Sequence, residues 1–576
     1  MEPPSRITNK QVAALFYEVA DILDIKSVKF KPAAYRKAAH EIETLGEDIT
    51  SVSERGKLED IPGVGNNLAG KIREILATGR LGHLEKLKQE IPKGVLELSE
   101  IGGIGPKKAM VLAKELGITN SEDLEKAAEA KKIRDLPGFG EKSEKNILQS
   151  IHAMKSTGHR FLLGDILPVA EAIKKRLSAL PGTRGISLAG SIRRRKETIG
   201  DVDILAASDD PEKIISEFCQ IQEIDRILGK CPTKCSIVLT SGVQVDLRVV
   251  DKDQYWAALV YFTGSKAHNI ALRRRALDRS QKLNEYGITS LADGKMLAGQ
   301  TEQDLYRLLD LPYIEPELRE DSGEIEAAAK GTLPKIVPYN AVKGDLHVHS
   351  VWSDGKHTIR ELADAAKALG YEYIAICDHA WNSKIARGLD ESSIAQQQKE
   401  IEKVNRELEG FMVLSGIECN IGPDGNLDIS DKVLGDLDVV VASVHSGLDM
   451  PRTEMTERLL AALHNEQVDI LGHPTGRIIQ KRDQVQADLP AIFDAAAAQG
   501  VSLEINAAPS RLDLSDTNCR IAREHGARFS IGSDAKAKED LAFMELGIAT
   551  ARRGWLEGKD IINTLHLRDL LKVLES

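Results

Sequence analysis

Six short apolar runs between residues 344 and 534 each end on a histidine, glutamate or aspartate, and this recurrence leaves the C-terminal half few folds to adopt. His347 and His349 follow the first run and flank a single valine. His379 follows residues 374–378, Glu418 follows 413–417, His445 follows 439–444, His473 follows 470–472 and Asp534 follows 529–533. Apolar runs of this length read as buried strands when they alternate with amphipathic helices, here 359–369 and 489–499. The alternation predicts a parallel, distorted β/α barrel, whose functional groups gather at the C-terminal ends of the strands. Two histidines two residues apart project from one strand face, and with Asp354 the N and O donors suit a metal centre. A lone buried histidine is more often structural, and His464 and His525 are read that way.

The N-terminal half is built differently. Residues 8–155 read as short amphipathic helices separated by Gly-rich turns, and one turn recurs three times: Ile-Pro-Gly-Val-Gly at 61–65, Gly-Gly-Ile-Gly at 102–105 and Leu-Pro-Gly-Phe-Gly at 136–140. Gly63, Gly65, Gly103, Gly105, Gly138 and Gly140 let a backbone come close to a ligand, and the helix that follows aims free amides at a phosphate. One copy could be an ordinary helical hairpin; three, with Lys71, Lys107, Lys108 and Lys142 nearby, predict helix-hairpin-helix contacts to a DNA backbone without base reading. The net charge of −11 opposes nucleic-acid binding only if evenly spread, and most of the excess acid lies beyond residue 337. Six cysteines in 576 residues form no disulfide framework, and Cys231 and Cys235 lack a second ligand pair. No window of about 20 apolar residues or signal-like leader occurs, so a soluble, cytoplasmic protein without membrane contact is expected.

From 160 to 250 helices alternate with β-rich runs, predicting an α+β unit. Gly190-Ser191 precedes basic residues 193–196 and then Gly200, Asp201 and Asp203. Two aspartates two apart share a strand face and can grip divalent cations, and Asp246 in the run 243–250 offers a third carboxylate. An Asp-x-Asp alone is common on exposed strands. Joined to the Gly-Ser turn and a third acid, it suits nucleotidyl transfer assisted by two metal ions. A helical stretch then runs to about 310, and residues 311–339, rich in Pro, Glu and Ala, read as a linker.

Together with Asp246-Leu247-Arg248, the run Tyr261-Phe262-Thr263-Gly264-Ser265, Asn269 and Arg273, these motifs resemble the palm and thumb of family X DNA polymerases. The resemblance implies a multidomain chain: a lyase-like helical domain at 1–90, an all-α helix-hairpin-helix subdomain at 91–158, a palm of the polymerase beta nucleotidyltransferase type at 159–255, a helical thumb at 256–318 and a linker at 319–338. It implies that Asp201, Asp203 and Asp246 bind Mg²⁺ or Mn²⁺, that Ser191, Arg194 and Gly200 contact the triphosphate, and that Tyr261, Phe262, Gly264, Asn269 and Arg273 line the nascent base pair. Lys71 falls on the Schiff-base lysine of the family's deoxyribose-phosphate lyase, although Asn67 replaces a lysine of that pocket. Residues 339–576 resemble the PHP (polymerase and histidinol phosphatase) phosphoesterase domain. That resemblance assigns His347, His349, Glu418 and Asp534 to one Zn²⁺ or Mn²⁺, Glu418, His445 and His473 to a second, and Asp354 and His379 to a third. The remaining ligand position holds Lys536, and an ammonium cannot coordinate. The expected function is gap filling in base excision repair by a monomer acting on gapped or primed DNA and deoxynucleoside triphosphates, with a 3′–5′ exonuclease and abasic-site (AP) endonuclease activity. The alternative is a polymerase whose degenerate PHP domain serves as a structural or DNA-binding module.

Overall fold

The structure, a computed structural model, describes residues 9–575 apart from 27, 29–30, 44–48, 62, 90–94, 96–97, 99–103, 105, 142, 145–146, 149–159, 298–300 and 381–387. Gly103, Gly105 and Lys142, and the domain boundaries expected near 90 and 158, lie outside the described residues. Helices Asn9–Ile25, Lys31–Glu43 and Asn66–Thr78 enclose a core containing Phe16, Ile22, Tyr35, Ile42 and Ile72. In the first turn, Val64 N donates to Ile61 O (2.9 Å), Gly63 takes φ +85°, and Gly65 caps Asn66–Thr78. The third turn repeats this: Phe139 N donates to Leu136 O (3.0 Å) and Gly138 takes φ +83°. A side chain is strained at that backbone angle, so the repeated glycines reflect one backbone geometry.

The α+β unit is a five-stranded sheet ordered Thr183–Leu188, Asp201–Ser208, Gln244–Val250, Lys234–Leu239 and Ile224–Lys230. Asp201–Ser208 and Gln244–Val250 run parallel, with Asp203 opposite Asp246. Helices Leu163–Ser178 and Pro211–Phe218 bury one face of the sheet, while Tyr255, Ala258 and Leu259 of helix Tyr255–Thr263 pack on Leu205 and Ala207.

The 256–318 segment is not all helical: after Lys266–Leu277 it forms a three-stranded antiparallel sheet of Gln281–Asn284, Gly287–Ser290 and Met296–Leu297. Asn284 pairs with Gly287 across a two-residue turn, too short a signal for periodicity to register. Nor is the stretch around 319–338 a free linker. Pro316–Leu318 and Glu324–Lys330 are ordered helical turns, and Arg319 has no exposed surface. Its composition suggested a linker, but its acids and those beside it meet fixed cations or imidazole: Glu317 pairs with Arg552 (2.8 Å), Glu320 with Arg194 and Arg553 (3.0 Å each), and Glu324 with His268 (2.6 Å).

Beyond it, seven parallel strands follow one another in chain order: Gly344–Val348, Tyr373–Ile376, Met412–Asn420, Val439–Ser443, Ile470–Leu471, Ser502–Asn506 and Phe529–Gly532. The ends of the sheet meet: Asp534 N donates to His347 O and His349 N to Ala535 O, both 2.9 Å, so the barrel is nearly closed. Barrel residues Ile479, Leu512 and Leu546 pack into the core of the α+β unit. No described helix is long and apolar enough to cross a membrane.

Arg319 donates from Nη1 to Glu302 Oε1 (2.9 Å), and Arg193 grips the same carboxylate at 2.5 Å. Burial pushes the Glu302 carboxyl up, but the two guanidinium groups more than offset this and hold it at about 2. Arg319→Met leaves this buried cluster one cation short, and a loss of about 3 kcal/mol or more in urea unfolding is expected. A loss under about 1 kcal/mol would mean that the cluster does not support the fold.

Candidate metal centres

Because residues two apart share a strand face, and parallel pairing sets Asp203 against Asp246, the α+β sheet brings Asp201, Asp203 and Asp246 together. One oxygen from each lies within 4.8 Å of the others. Asp246 Oδ1 is buried with no hydrogen-bond partner among the described residues. Burial, together with the neighbouring Asp201 and Asp246, pushes the Asp203 carboxyl up to about 7; Asp201 is raised by burial and by Asp246. Three mutually repelling carboxylates with an unsatisfied oxygen suit divalent cations. Gly190 stands over them with φ +59°, and a Cβ there would come 2.1 Å from Asp203 Oδ2, so no side chain fits.

Around this triad, Ser191 sits on the short helix Gly190–Arg193, and Gly200 immediately precedes the strand Asp201–Ser208. Arg194 donates to Thr263 O (2.5 Å), beside Gly264, and to Glu320 Oε1 (3.0 Å). Phe262 stacks under Arg248 (4.5 Å) and Tyr261 faces Arg273 (6.0 Å), while Asn269 donates to Tyr261 O (2.7 Å). A small cavity joins Asp203 and Asp246 to Arg248, Phe262 and Lys234. Lys234 was not anticipated, because only its cross-strand position opposite Arg248 brings it there. Away from this site, Lys71 Nζ donates to Asn67 Oδ1 (2.6 Å) and lies 5.7 Å from the Tyr35 ring centre.

The second centre lies at the barrel mouth, around Glu418. Its carboxylate is 2.9 Å from His379 Nδ1 and His473 Nε2, 3.2 Å from His445 Nε2, 3.5 Å from His347 Nε2 and 3.7 Å from His349 Nε2. His349 Nε2 is also 3.2 Å from Asp534. Three donor groups have their atoms within 4.8 Å: His347, His349 and Asp534; His349, His379 and Glu418; and Glu418, His445 and His473. Asp354, expected to pair with His379 at a third ion, lies 3.7 Å from His379 Nε2 and 3.3 Å from His349 Nδ1, while His379 also groups with His349 and Glu418. Burial, with Lys536 next in effect, pushes His349 down to about 3; burial and Arg511 push His473 down to about 4. Both imidazoles are therefore neutral and have lone pairs to offer. His347 Nε2 and both nitrogens of His349 are buried without a hydrogen-bond partner among the described residues, as expected of ligands rather than of a packed core.

Glu504, absent from the sequence reading, orients two of these groups: it lies 2.6 Å from His347 Nδ1 and accepts from His473 N (2.6 Å). As the one acid within the buried strand Ser502–Asn506, it carried a signal that could have been read. His473 (φ +28°) and Asp534 (φ +54°) hold backbone angles that cost about 1 kcal/mol or more, a strain found where chemistry dictates position. Lys536 Nζ pairs with Asp534 Oδ1 at 2.5 Å and lies 3.9 Å from Asp354. Burial favours a neutral amine, but Asp534, Glu418 and Asp354 outweigh it and raise the pKa, so the group is an ammonium. His464 and His525 cap helices at the surface, far from this mouth in role.

Comparison with known proteins adds to this geometry. Residues 7–81 match a helix-hairpin-helix domain, 95–153 a SAM-like helix-hairpin-helix tandem, 258–320 the DNA polymerase beta thumb and 345–508 the PHP domain. The chain is 37% identical over 564 residues to the DNA polymerase/3′-5′ exonuclease PolX of Bacillus subtilis (strain 168), covering 97% of this chain and 98% of that one. It is 28% identical over 339 residues to DNA polymerase lambda of Rattus norvegicus, covering 52% of this chain and 54% of that protein. A probable phosphatase of Thermoanaerobacter sp. (strain X514) is 29% identical over 231 residues, 38% of this chain and 89% of that one.

A carboxyl whose folded pKa exceeds its unfolded value binds protons more readily in the fold. The metal-free protein therefore loses stability at Asp203 as pH rises from about 4 to about 7. Asp203→Asn is expected to raise the melting temperature in EDTA by a few degrees at pH 8 and much less at pH 4.5, and to weaken stabilisation by Mg²⁺. Equal melting curves at pH 8 would remove the repulsion argument.

Proposed function

Because the chain belongs to the PolX family, prokaryotic family X DNA polymerases with a C-terminal PHP domain, it is a gap-filling DNA polymerase with a 3′–5′ exonuclease, and we propose how its residues divide the two reactions. Its substrates are DNA and deoxynucleoside triphosphates, and both reactions depend on divalent metal ions. In this reading Asp201, Asp203 and Asp246 hold two Mg²⁺ or Mn²⁺ ions, which would activate the primer 3′-hydroxyl and offset charge on the triphosphate. Ser191, Arg194 and Gly200 bind the triphosphate, while Tyr261, Phe262, Gly264, Asn269 and Arg273 shape the pocket for the base pair. The Gly63–Gly65 and Gly138–Gly140 turns, with Gly103 and Gly105, hold backbone phosphates. The observation that carries the assignment is the carboxylate triad beneath a glycine whose Cβ would strike Asp203.

For the PHP domain we propose that His347, His349, Asp354, His379, Glu418, His445, His473 and Asp534 form the exonuclease site, loaded with Zn²⁺ or Mn²⁺. Lys536 takes the place of a third ion's ligand there: its ammonium neutralises Asp534 and faces the phosphodiester to be cut, at some cost in rate. Cleavage at abasic sites would use the same mouth. Lys71 is the candidate Schiff-base lysine, and base excision repair in the cytoplasm, by a monomer, is the cellular role that matches these activities. A degenerate PHP domain acting as a structural or DNA-binding module is the second reading, and the salt bridge of Lys536 to Asp534 favours it.

On a one-nucleotide gap, Asp246→Ala is expected to lower incorporation by more than about 100-fold with DNA affinity nearly unchanged, since a metal ligand is lost and not a phosphate contact. His347→Ala should remove the exonuclease and spare extension; loss of both activities in a folded variant would contradict the division. Metal analysis should find about two ions in the wild-type PHP domain, and Lys536→His should add a third and speed digestion of single-stranded 3′ ends. Three ions and vigorous digestion in the wild type, damaged by the histidine, would reverse the role given to Lys536.

A further inference from the structure

Three residues of the polymerase turn at 190–197 are tied to the PHP domain. Arg195, at φ +55°, pairs with Glu545 (2.8 Å), and Glu197 pairs with Arg477 (2.7 Å). Arg194 is held at both ends by a residue 359 positions away: Arg553 Nη1 donates to Arg194 O (2.7 Å) and to Glu320 Oε1 (3.0 Å), the oxygen that Arg194 Nε also uses (3.0 Å). Arg553 lies on the PHP helix Met544–Arg553, its side chain only 6% exposed and anchored by Asp516 at 2.8 Å. The domains are in close contact here, since a Cβ on Gly164 would come 2.6 Å from Pro509 and 2.9 Å from Leu546.

We propose that Arg553, although part of the phosphoesterase domain, is a positioning residue of the polymerase reaction, fixing the turn that presents Arg194 to the triphosphate and sharing Glu320 so that Arg194 keeps free charge for that anion. The inference rests on the reading that Arg194 meets the triphosphate. A carboxylate and a triphosphate both seek the Arg194 guanidinium, and a carboxylate divided between two guanidinium groups holds each less firmly. Without Arg553, Glu320 turns wholly to Arg194, and the Arg194 carbonyl loses the donor that fixes the backbone. Nucleotide binding should weaken, while metal-assisted chemistry at Asp201, Asp203 and Asp246 should proceed once the nucleotide is seated.

Steady-state filling of a one-nucleotide gap by the full chain tests this. Arg553→Met should raise the KM for nucleotide about tenfold, with kcat within about threefold and exonuclease rate unchanged. Arg553→Lys should recover part of the loss, and Glu320→Gln placed in the Arg553→Met protein should lower KM again, a rescue that a merely structural role for Arg553 would not produce. Arg194→Ala separates the two readings. If it raises KM while Arg553→Met does not, the proposal fails and the triphosphate assignment stands; if Arg194→Ala leaves KM unchanged, both fall. Should Arg553→Met not fold, Asp516→Asn, which loosens Arg553 in place, must raise KM for the proposal to survive.

Discussion

A guanidinium with no exposed surface, that of Arg319, binds the centre of this molecule together. Removing such a charge from water is costly unless a carboxylate and further hydrogen bonds replace the solvent. Glu302 supplies the carboxylate, Ile314 O accepts from Arg319 Nε (2.9 Å), and the rings of Tyr306 and Tyr313 cover the guanidinium at 5.1 and 5.3 Å. Glu302 in turn holds Arg193 of the palm, so palm, thumb and the segment leading to the PHP domain share one buried charge cluster. The neighbours of Arg319 extend it: Glu317 reaches Arg552 and Glu320 reaches Arg194 and Arg553. Polymerase and phosphoesterase are thus joined by matched charges as well as by apolar packing, and their separation would leave several buried ions unpaired.

The two candidate metal centres solve the same electrostatic problem with different donors. In the palm, three carboxylates are crowded by parallel strand pairing, and their repulsion makes the site receptive to hard cations that also bind phosphate. At the barrel mouth one carboxylate, Glu418, sits among five imidazoles, of which His349 and His473 are held neutral by burial. A mixed N and O donor set suits transition metals better than Mg²⁺, so the two donor sets differ in the cations they favour. Lys536 alters that balance by bringing a fixed positive charge to the Asp534 side of the mouth.

Much of this was legible along the chain, because period-two strand geometry puts Asp201 beside Asp203 and His347 beside His349, and because donors that end parallel strands must converge. Two of the Gly turns were legible for a similar reason: φ is +85° at Gly63 and +83° at Gly138, a region that excludes most side chains, so the glycine itself reports the backbone. These are local rules, and they determined the helical N-terminal region, the α+β unit and the barrel. Tertiary structure alone decided the rest. The 319–338 segment read as a linker from its composition, and only the fold sets Arg553 against Glu320 and His268 against Glu324. Glu504 acquires its role from His347, 157 positions away, and Lys536 remains an ammonium because of the carboxylates packed around it. Periodicity describes which face a residue takes, whereas the partner that fixes a buried charge is chosen by chain segments far apart in sequence.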